Sequence, residues 1–418
     1  MTCGKVKHSL IAALSFLALP GAFAAEPSSA SAKAPAQRIS IEASYLKDVP
    51  KTFPADGGSW FSKGVKAIYY EGPEYKGKPT KVFAYYGLPA DMKKGEKVPG
   101  IVLIHGGGGT AYAEWVRLWN SRGYAAISMD LCGSVPVKSP DGNGWIKMPS
   151  SGGPAGWESS FSQLGEPIRD QWPCYAVNAI ARARTFLGAQ AEIDSSRIGL
   201  TGVSWGGYLT CLVAGLDSRY AFAVPVYGCG FLRDGGSAWS VGLKRPGMES
   251  WTLQFDPAMY LPDAKMPMLW VTGTNDFAYP MEALKMSYSL VKAPVSLSVT
   301  VRMPHGHSGP GESPAEILAF ANSFCKGEPA LMAVVQQGRD GNRAWAACNA
   351  PAALESAELV FTKDGGANKE RKWETLKAEV DMASNRVSAA LPAGVKLYYF
   401  NLHDKRNLTV SSPHEEMK

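Results

Sequence analysis

The chain has 418 residues, with 43 Lys and Arg against 37 Asp and Glu, a formal net charge of +6. The excess is mild and no dense basic run occurs, so nucleic acid is excluded as the expected partner. Hydrophobic residues make up 45% of a chain long enough for one large domain and a small one.

Residues 1–24 read as a secretory signal. Lys5 and Lys7 give a positive start, Leu10 to Leu19 is the apolar core, and Ala22-Phe23-Ala24 is a cleavage site. That core is too short to span a bilayer, and no later run is long enough. The expectation is a soluble protein, secreted or periplasmic, with no membrane anchor. Cys3 precedes the apolar core, so it is not a lipid-anchor cysteine. Cleavage leaves 394 residues and a formal charge of +4. Cys132, Cys174, Cys211, Cys229, Cys325 and Cys348 remain; an even count in an oxidising compartment permits disulfides. None pairs as C-x-x-C, and Cys211 and Cys229 read equally well as buried thiols.

Residues 25–59 form a linker and N-terminal segment, rich in Ala, Ser and Pro up to about residue 40. Residues 60–327 carry the main domain. Val65 to Tyr70 and Lys81 to Leu88 suggest an antiparallel hairpin. Strand and helix then alternate: strand Val98 to Ile104, helix Ala113 to Arg122, strand Tyr124 to Met129, helix Gln171 to Leu187. Next come strand Ile198 to Thr201, helix Tyr208 to Leu216, and strand Phe222 to Tyr227. Strands Met268 to Thr272 and Val295 to Val301 alternate with helices Pro280 to Val291 and Pro314 to Phe324. This pattern predicts an α/β domain, a mostly parallel sheet with helices on both faces. Two long irregular stretches, Cys132 to Arg169 with Trp145 and Trp157, and Gly230 to Leu261 with Trp239 and Trp251, follow strand C-terminal ends. They are expected to be lids or pocket walls. Residues 328–418 change to alternating runs with Gly and Asn turns, which predicts a small β-sandwich-like module.

The chemistry concentrates in Gly202-Val203-Ser204-Trp205-Gly206-Gly207. A short apolar strand running through G-x-S-x-G into a helical pattern is a nucleophile elbow, which lifts Ser204 above the sheet edge. Serine needs a base, and the base needs an orienting carboxylate. In this arrangement the chain order is Ser, acid, His. Of the six histidines, His8 leaves with the signal, His105 precedes the serine, and His403 and His414 lie in the β-module. His305 and His307 remain, after the last strand of the sheet. His307 is preferred, because it follows Gly306 and leads into the last helix; His305 is then a supporting residue. Asp276 lies just past the preceding strand and is the expected acid, ahead of Asp256 and Asp263; its alternative role is to cap the helix near Pro280. His105-Gly106-Gly107-Gly108-Gly109 follows an earlier strand. The Trp205 N–H and that of Gly107 or Gly108 are the expected oxyanion donors. No G-K-[ST] follows the glycines, so they are not a phosphate loop. No cofactor is expected, and no spacing suggests a metal site.

With these residues the chain resembles the serine α/β-hydrolase superfamily, and within it the acetylxylan-esterase and prolyl-oligopeptidase-like branch. Tyr208-Leu209-Thr210-Cys211, Ala214-Gly215-Leu216-Asp217 and Val226-Tyr227-Gly228-Cys229-Gly230 add to the likeness, which spans about residues 60–326. The resemblance implies an α/β-hydrolase fold and carries over Ser204, Asp276 and His307 as the triad. It implies a small-molecule or carbohydrate ester as substrate, acetylated sugars in particular. A peptidase of the prolyl-oligopeptidase type is the alternative. Such enzymes usually carry an N-terminal β-propeller, and residues 25–104 are too few to build one. A binding protein on an inactive hydrolase scaffold is a third reading, opposed by the complete set of Ser, Asp and His.

Overall fold

Val98–Ile104 (β4) is apolar and buried along its whole length, the signature of a strand covered on both faces. The computed structural model describes residues 37–55, 64–141, 145–150, 152–349 and 353–417. The expected signal segment, residues 25–36 and 56–59 of the expected linker and N-terminal segment, and the Trp145 side chain lie outside the described residues.

Thr52–Pro54 (β1), Val65–Glu71 (β2), Lys81–Gly87 (β3), β4, Ala125–Met129 (β5), Ile193–Val203 (β8), Ala223–Val226 (β9), Met268–Gly273 (β10) and Val295–Thr300 (β11) form one sheet. Its order is β1-β2-β3-β5-β4-β8-β9-β10-β11. β1, β2 and β3 are antiparallel, and β3 joins β5 antiparallel; from β5 to β11 the pairing is parallel. The expected hairpin is therefore the antiparallel start of the sheet.

The connection from β4 through the helix Ala113–Ser121 turns back to β5, whereas β8 runs on through Trp205–Leu216 to β9. Right-handed crossovers then place these helices on opposite faces. The order reverses between β4 and β8. A crevice opens at the C-terminal ends of strands where this happens. The glycine run after β4 and Ser204 after β8 both arrive there.

The long stretches are more regular than the sequence suggests. Ser134–Lys138 (β6) and Trp145–Pro149 (β7) pair as a hairpin, and Ser159–Ser162 is a helical turn. Pro136 and Pro149 hid the hairpin, because proline depletes strands except at edges. Ser240–Leu243 and Glu249–Phe255 are short helices in the second stretch.

Residues 333–416 form two antiparallel sheets, in the sandwich-like manner the alternating runs predict. The module covers edge strand β11. The Val299 N–H donates to Ser411 Oγ at 2.8 Å. The Val299 carbonyl accepts from Asn401 Nδ2 at 3.2 Å and Tyr399 O–H at 3.3 Å. Met281, Val299, Val360, Trp373, Leu397 and Tyr399 bury an apolar seam across the junction. An edge strand is thereby closed without a further strand.

Cys132, Cys174, Cys211, Cys229, Cys325 and Cys348 are free and buried. Among the described residues no helix is long and apolar enough to cross a membrane.

Candidate active site

Ser204 sits between the end of β8 and the helix Trp205–Leu216, with φ 61° and ψ −118°. A non-glycine residue there is strained, and the surroundings must hold it. The Ser204 N–H donates to the Val226 carbonyl at 2.8 Å, and its carbonyl accepts from the Tyr208 N–H at 2.9 Å. A side chain at Gly206 would run into the Ile104 and His105 carbonyl oxygens, which accounts for the glycine two residues on. The Trp205 N–H is the first of the helix and has no acceptor within it.

His305, not His307, meets the serine. His305 Nε2 lies 2.8 Å from Ser204 Oγ, and its Nδ1 lies 2.6 Å from Asp276 Oδ2. The preference for His307 is thereby corrected. The turn at Gly306 carries His307 past the serine to the glycine loop, where Nε2 accepts from the Gly106 N–H at 2.9 Å. His307 Nδ1 pairs with Glu312 Oε1, also at 2.9 Å.

The two carboxylate oxygens of Asp276 face different partners. Oδ1 accepts the N–H groups of Ala278 and Tyr279, each at 2.8 Å, and so shapes the turn before helix Met281–Tyr288. Oδ2 is left for His305, and the side chain is fully buried. Asp256 is also buried, but its carboxylate accepts from Phe231, Leu232 and Ala258 N–H groups and anchors the second long stretch. Burial raises its pKa, against those three bonds. Asp263 is exposed beside Arg38.

The His305 ring is held by aromatic neighbours. Tyr227 stacks on it with centroids 4.6 Å apart, and Phe277 lies at 4.8 Å. The Tyr227 hydroxyl donates to the Pro304 carbonyl at 2.7 Å, fixing the loop that bears the histidine.

Trp205 projects into a cluster built from both long stretches. Trp157 stacks on it at 5.0 Å, and Trp239 meets it edge-on at 4.7 Å. Trp157 and Trp239 also touch each other, at 6.2 Å. The stretches thus form a wall beside Ser204. Trp251 is fully buried beneath it, against Phe161 and Tyr208. A side chain at Gly107 would collide with the Trp157 and Trp205 indoles, so the glycine loop borders this wall directly. Gly108 has φ 72°, a conformation that suits glycine.

The C-terminal module reaches the site, a contact that no local pattern predicts. Asn275 Nδ2 lies within hydrogen-bond distance of the carbonyls of Arg371, Asn368 and Lys369, at 2.7, 3.2 and 3.3 Å. Asn368 Nδ2 returns a bond to the Asp276 carbonyl at 3.0 Å. Arg371 pairs with Glu282 at 2.5 Å. This reciprocal clasp borders a cleft of about 330 Å³ lined by residues including Phe277, Arg302, His305 and Lys369. Among the described residues no three His, Cys, Asp or Glu side chains converge as a metal site would require.

Residues 155–327 match the prolyl oligopeptidase family. No curated protein matches the sequence. The fold is similar to that of an acetyl xylan esterase from Paenibacillus sp. R4, at 20% identity and TM-score 0.51, covering 69% of this chain and 97% of that one. Acetyl xylan esterase 1 from Thermoanaerobacterium sp. JW/SL YS485 is also similar, at 16% identity and TM-score 0.48, covering 66% and 92%. The acylaminoacyl peptidase of Pyrococcus horikoshii gives 20% identity and TM-score 0.47, covering 66% of this chain and 44% of that one.

Proposed function

We propose that this chain, whose α/β-hydrolase fold resembles that of serine hydrolases, is a serine carboxylic-ester hydrolase that works through an acyl-enzyme and removes acetyl groups from carbohydrates. The observation that carries this reading is the line from Asp276 through His305 to Ser204, ending beside an aromatic wall.

His305 Nε2 takes the Ser204 proton as Oγ attacks the ester carbonyl. Asp276 keeps the other ring proton on Nδ1 and stabilises the imidazolium that forms. The Trp205 N–H, aided by the helix N-terminus, and the Gly107 N–H receive the charge that develops on the carbonyl oxygen. Collapse of the tetrahedral intermediate expels the alcohol, protonated by His305. Water, activated by the same ring, then releases the acid. No step calls for a cofactor or metal.

The wall of Trp157, Trp205 and Trp239 beside Ser204 supports a compact acetyl group over longer chains. Likeness in fold to an acetyl xylan esterase supports a sugar on the alcohol side. Residues 1–24 support action outside the cytoplasm. The match to the prolyl oligopeptidase family favours a second reading, a serine peptidase using the same residues. Hydrolysis of acetyl, longer acyl, feruloyl and prolyl-peptide substrates by the mature protein separates the two. Acetyl esters, including acetylated xylo-oligosaccharides, should be the best substrates. Cleavage of prolyl peptides without acetyl-ester hydrolysis would replace the first reading with the second.

A further inference from the structure

We infer that His307, oriented by Glu312, is a positioning residue that holds the glycine loop so that the Gly107 N–H faces the developing oxyanion. The inference rests on the serine hydrolase reading of Ser204.

Gly106 lies directly against the nucleophile: a Cβ placed on it would stand 3.2 Å from Ser204 Cβ. Both polar groups of Gly106 are tied down by histidines. Its N–H donates to His307 Nε2 at 2.9 Å. Its carbonyl accepts from the Gly109 N–H at 3.0 Å and lies 2.7 Å from His105 Nδ1. The carbonyl of Gly106 and the N–H of Gly107 belong to one planar trans peptide and point opposite ways. Holding the first toward His105 and Gly109 aims the second away from them. His307 fixes the preceding peptide unit, which carries the Gly106 N–H.

Each histidine is set in one tautomer. His307 Nε2 must present a lone pair to the Gly106 N–H, so its proton is on Nδ1, where Glu312 Oε1 accepts it at 2.9 Å. The ring cannot turn freely, because Tyr112 lies 4.6 Å and Trp115 5.5 Å from its centroid. His105 Nε2 accepts from the Leu131 N–H at 3.0 Å, which puts its proton on Nδ1 facing Gly106. Burial lowers the His105 pKa to about 3 and keeps the ring neutral. His307 also stands two residues from His305 on one loop. Its bond to Gly106 therefore sets the base and the oxyanion donor relative to each other, and such preorganisation acts on the transition state rather than on substrate binding.

The test uses the mature chain and two readings: the rate of Ser204 phosphonylation by a fluorophosphonate, and kcat and KM on p-nitrophenyl acetate. In phosphonylation Oγ bonds to phosphorus, fluoride leaves, and the serine proton passes to His305; a charged phosphoryl oxygen develops in the hole. His307→Ala and Glu312→Ala should each slow both reactions about 10–100-fold, with KM within about twofold. Glu312→Gln should stay within about threefold, because its amide oxygen can still accept the Nδ1 proton. A folded His307→Ala protein that labels at the wild-type rate would overturn the inference. If that variant does not fold, Glu312→Ala at the wild-type rate does so. Wild-type labelling at Ser204 without acetyl-ester hydrolysis would count against the proposed substrate and leave this test intact.

Discussion

His305 and His307 are two residues apart on one loop and serve opposite sides of the site: His305 spans Ser204 and Asp276, while His307 spans Gly106 and Glu312. The turn at Gly306 divides one short motif between proton transfer and loop positioning. His305→Ala should therefore match Ser204→Ala, each losing about 10⁴-fold or more in kcat/KM, because triad members act as a unit. His307→Ala should be clearly milder. Steady-state kinetics on p-nitrophenyl acetate rank the three, and the reverse order of the histidines would return the base to His307.

The clasp between Asn275 and Asn368 predicts that the C-terminal module tunes turnover. Asn368→Ala removes the bond to the Asp276 carbonyl and loosens the turn that aims Oδ2 at His305. A fall in kcat of about tenfold with KM little changed is expected, since misplacement by an ångström can cost that much or more. An unchanged kcat in a folded variant would make the clasp purely structural.

Trp157 should set acyl length. Trp157→Ala removes the ring stacked on Trp205 beside Gly107. Hydrolysis of butyrate or hexanoate p-nitrophenyl esters should rise relative to acetate by about tenfold, the range expected when a methylene or two gains room in an apolar pocket. The measurement is the ratio of kcat/KM values; an unaltered ratio removes Trp157 from the acyl site.

Acid sensitivity should arise partly from His414, which is buried in the C-terminal module. Burial lowers its folded pKa to about 3 from an ordinary 6.5, so the folded state excludes a proton that the unfolded chain binds. Stability from this residue is present above pH 6.5 and is lost as pH falls toward 3. Each pH unit in that window costs about 1.4 kcal/mol for one proton. His414→Gln should show a shallower loss between pH 6.5 and 4 than the wild type in urea unfolding. Parallel curves would show that His414 does not carry the difference.

The framework of the site was legible in the sequence wherever local pattern decides structure. Strands β4, β8 and β10 are apolar runs ending in a glycine loop, G-x-S-x-G, and Asp276. The choice between His305 and His307 was not legible, because a glycine between them sends their side chains to different partners and both follow the same strand. The Trp157 and Trp239 wall depends on two stretches some 80 residues apart meeting over Trp205, which no local periodicity encodes. The clasp at Asn275 is further removed, joining residues 93 and more apart through carbonyls that any sequence would offer.

An acyl group carried on Ser204 can be intercepted directly. The mature protein is mixed with p-nitrophenyl acetate, quenched in acid within the first turnovers, digested, and analysed by mass spectrometry. An acetyl group is expected on the peptide holding Ser204 and absent from Ser204→Ala, which should also lose turnover. Turnover that persists in Ser204→Ala, or an acetyl group that accumulates on another residue at the turnover rate, would contradict it.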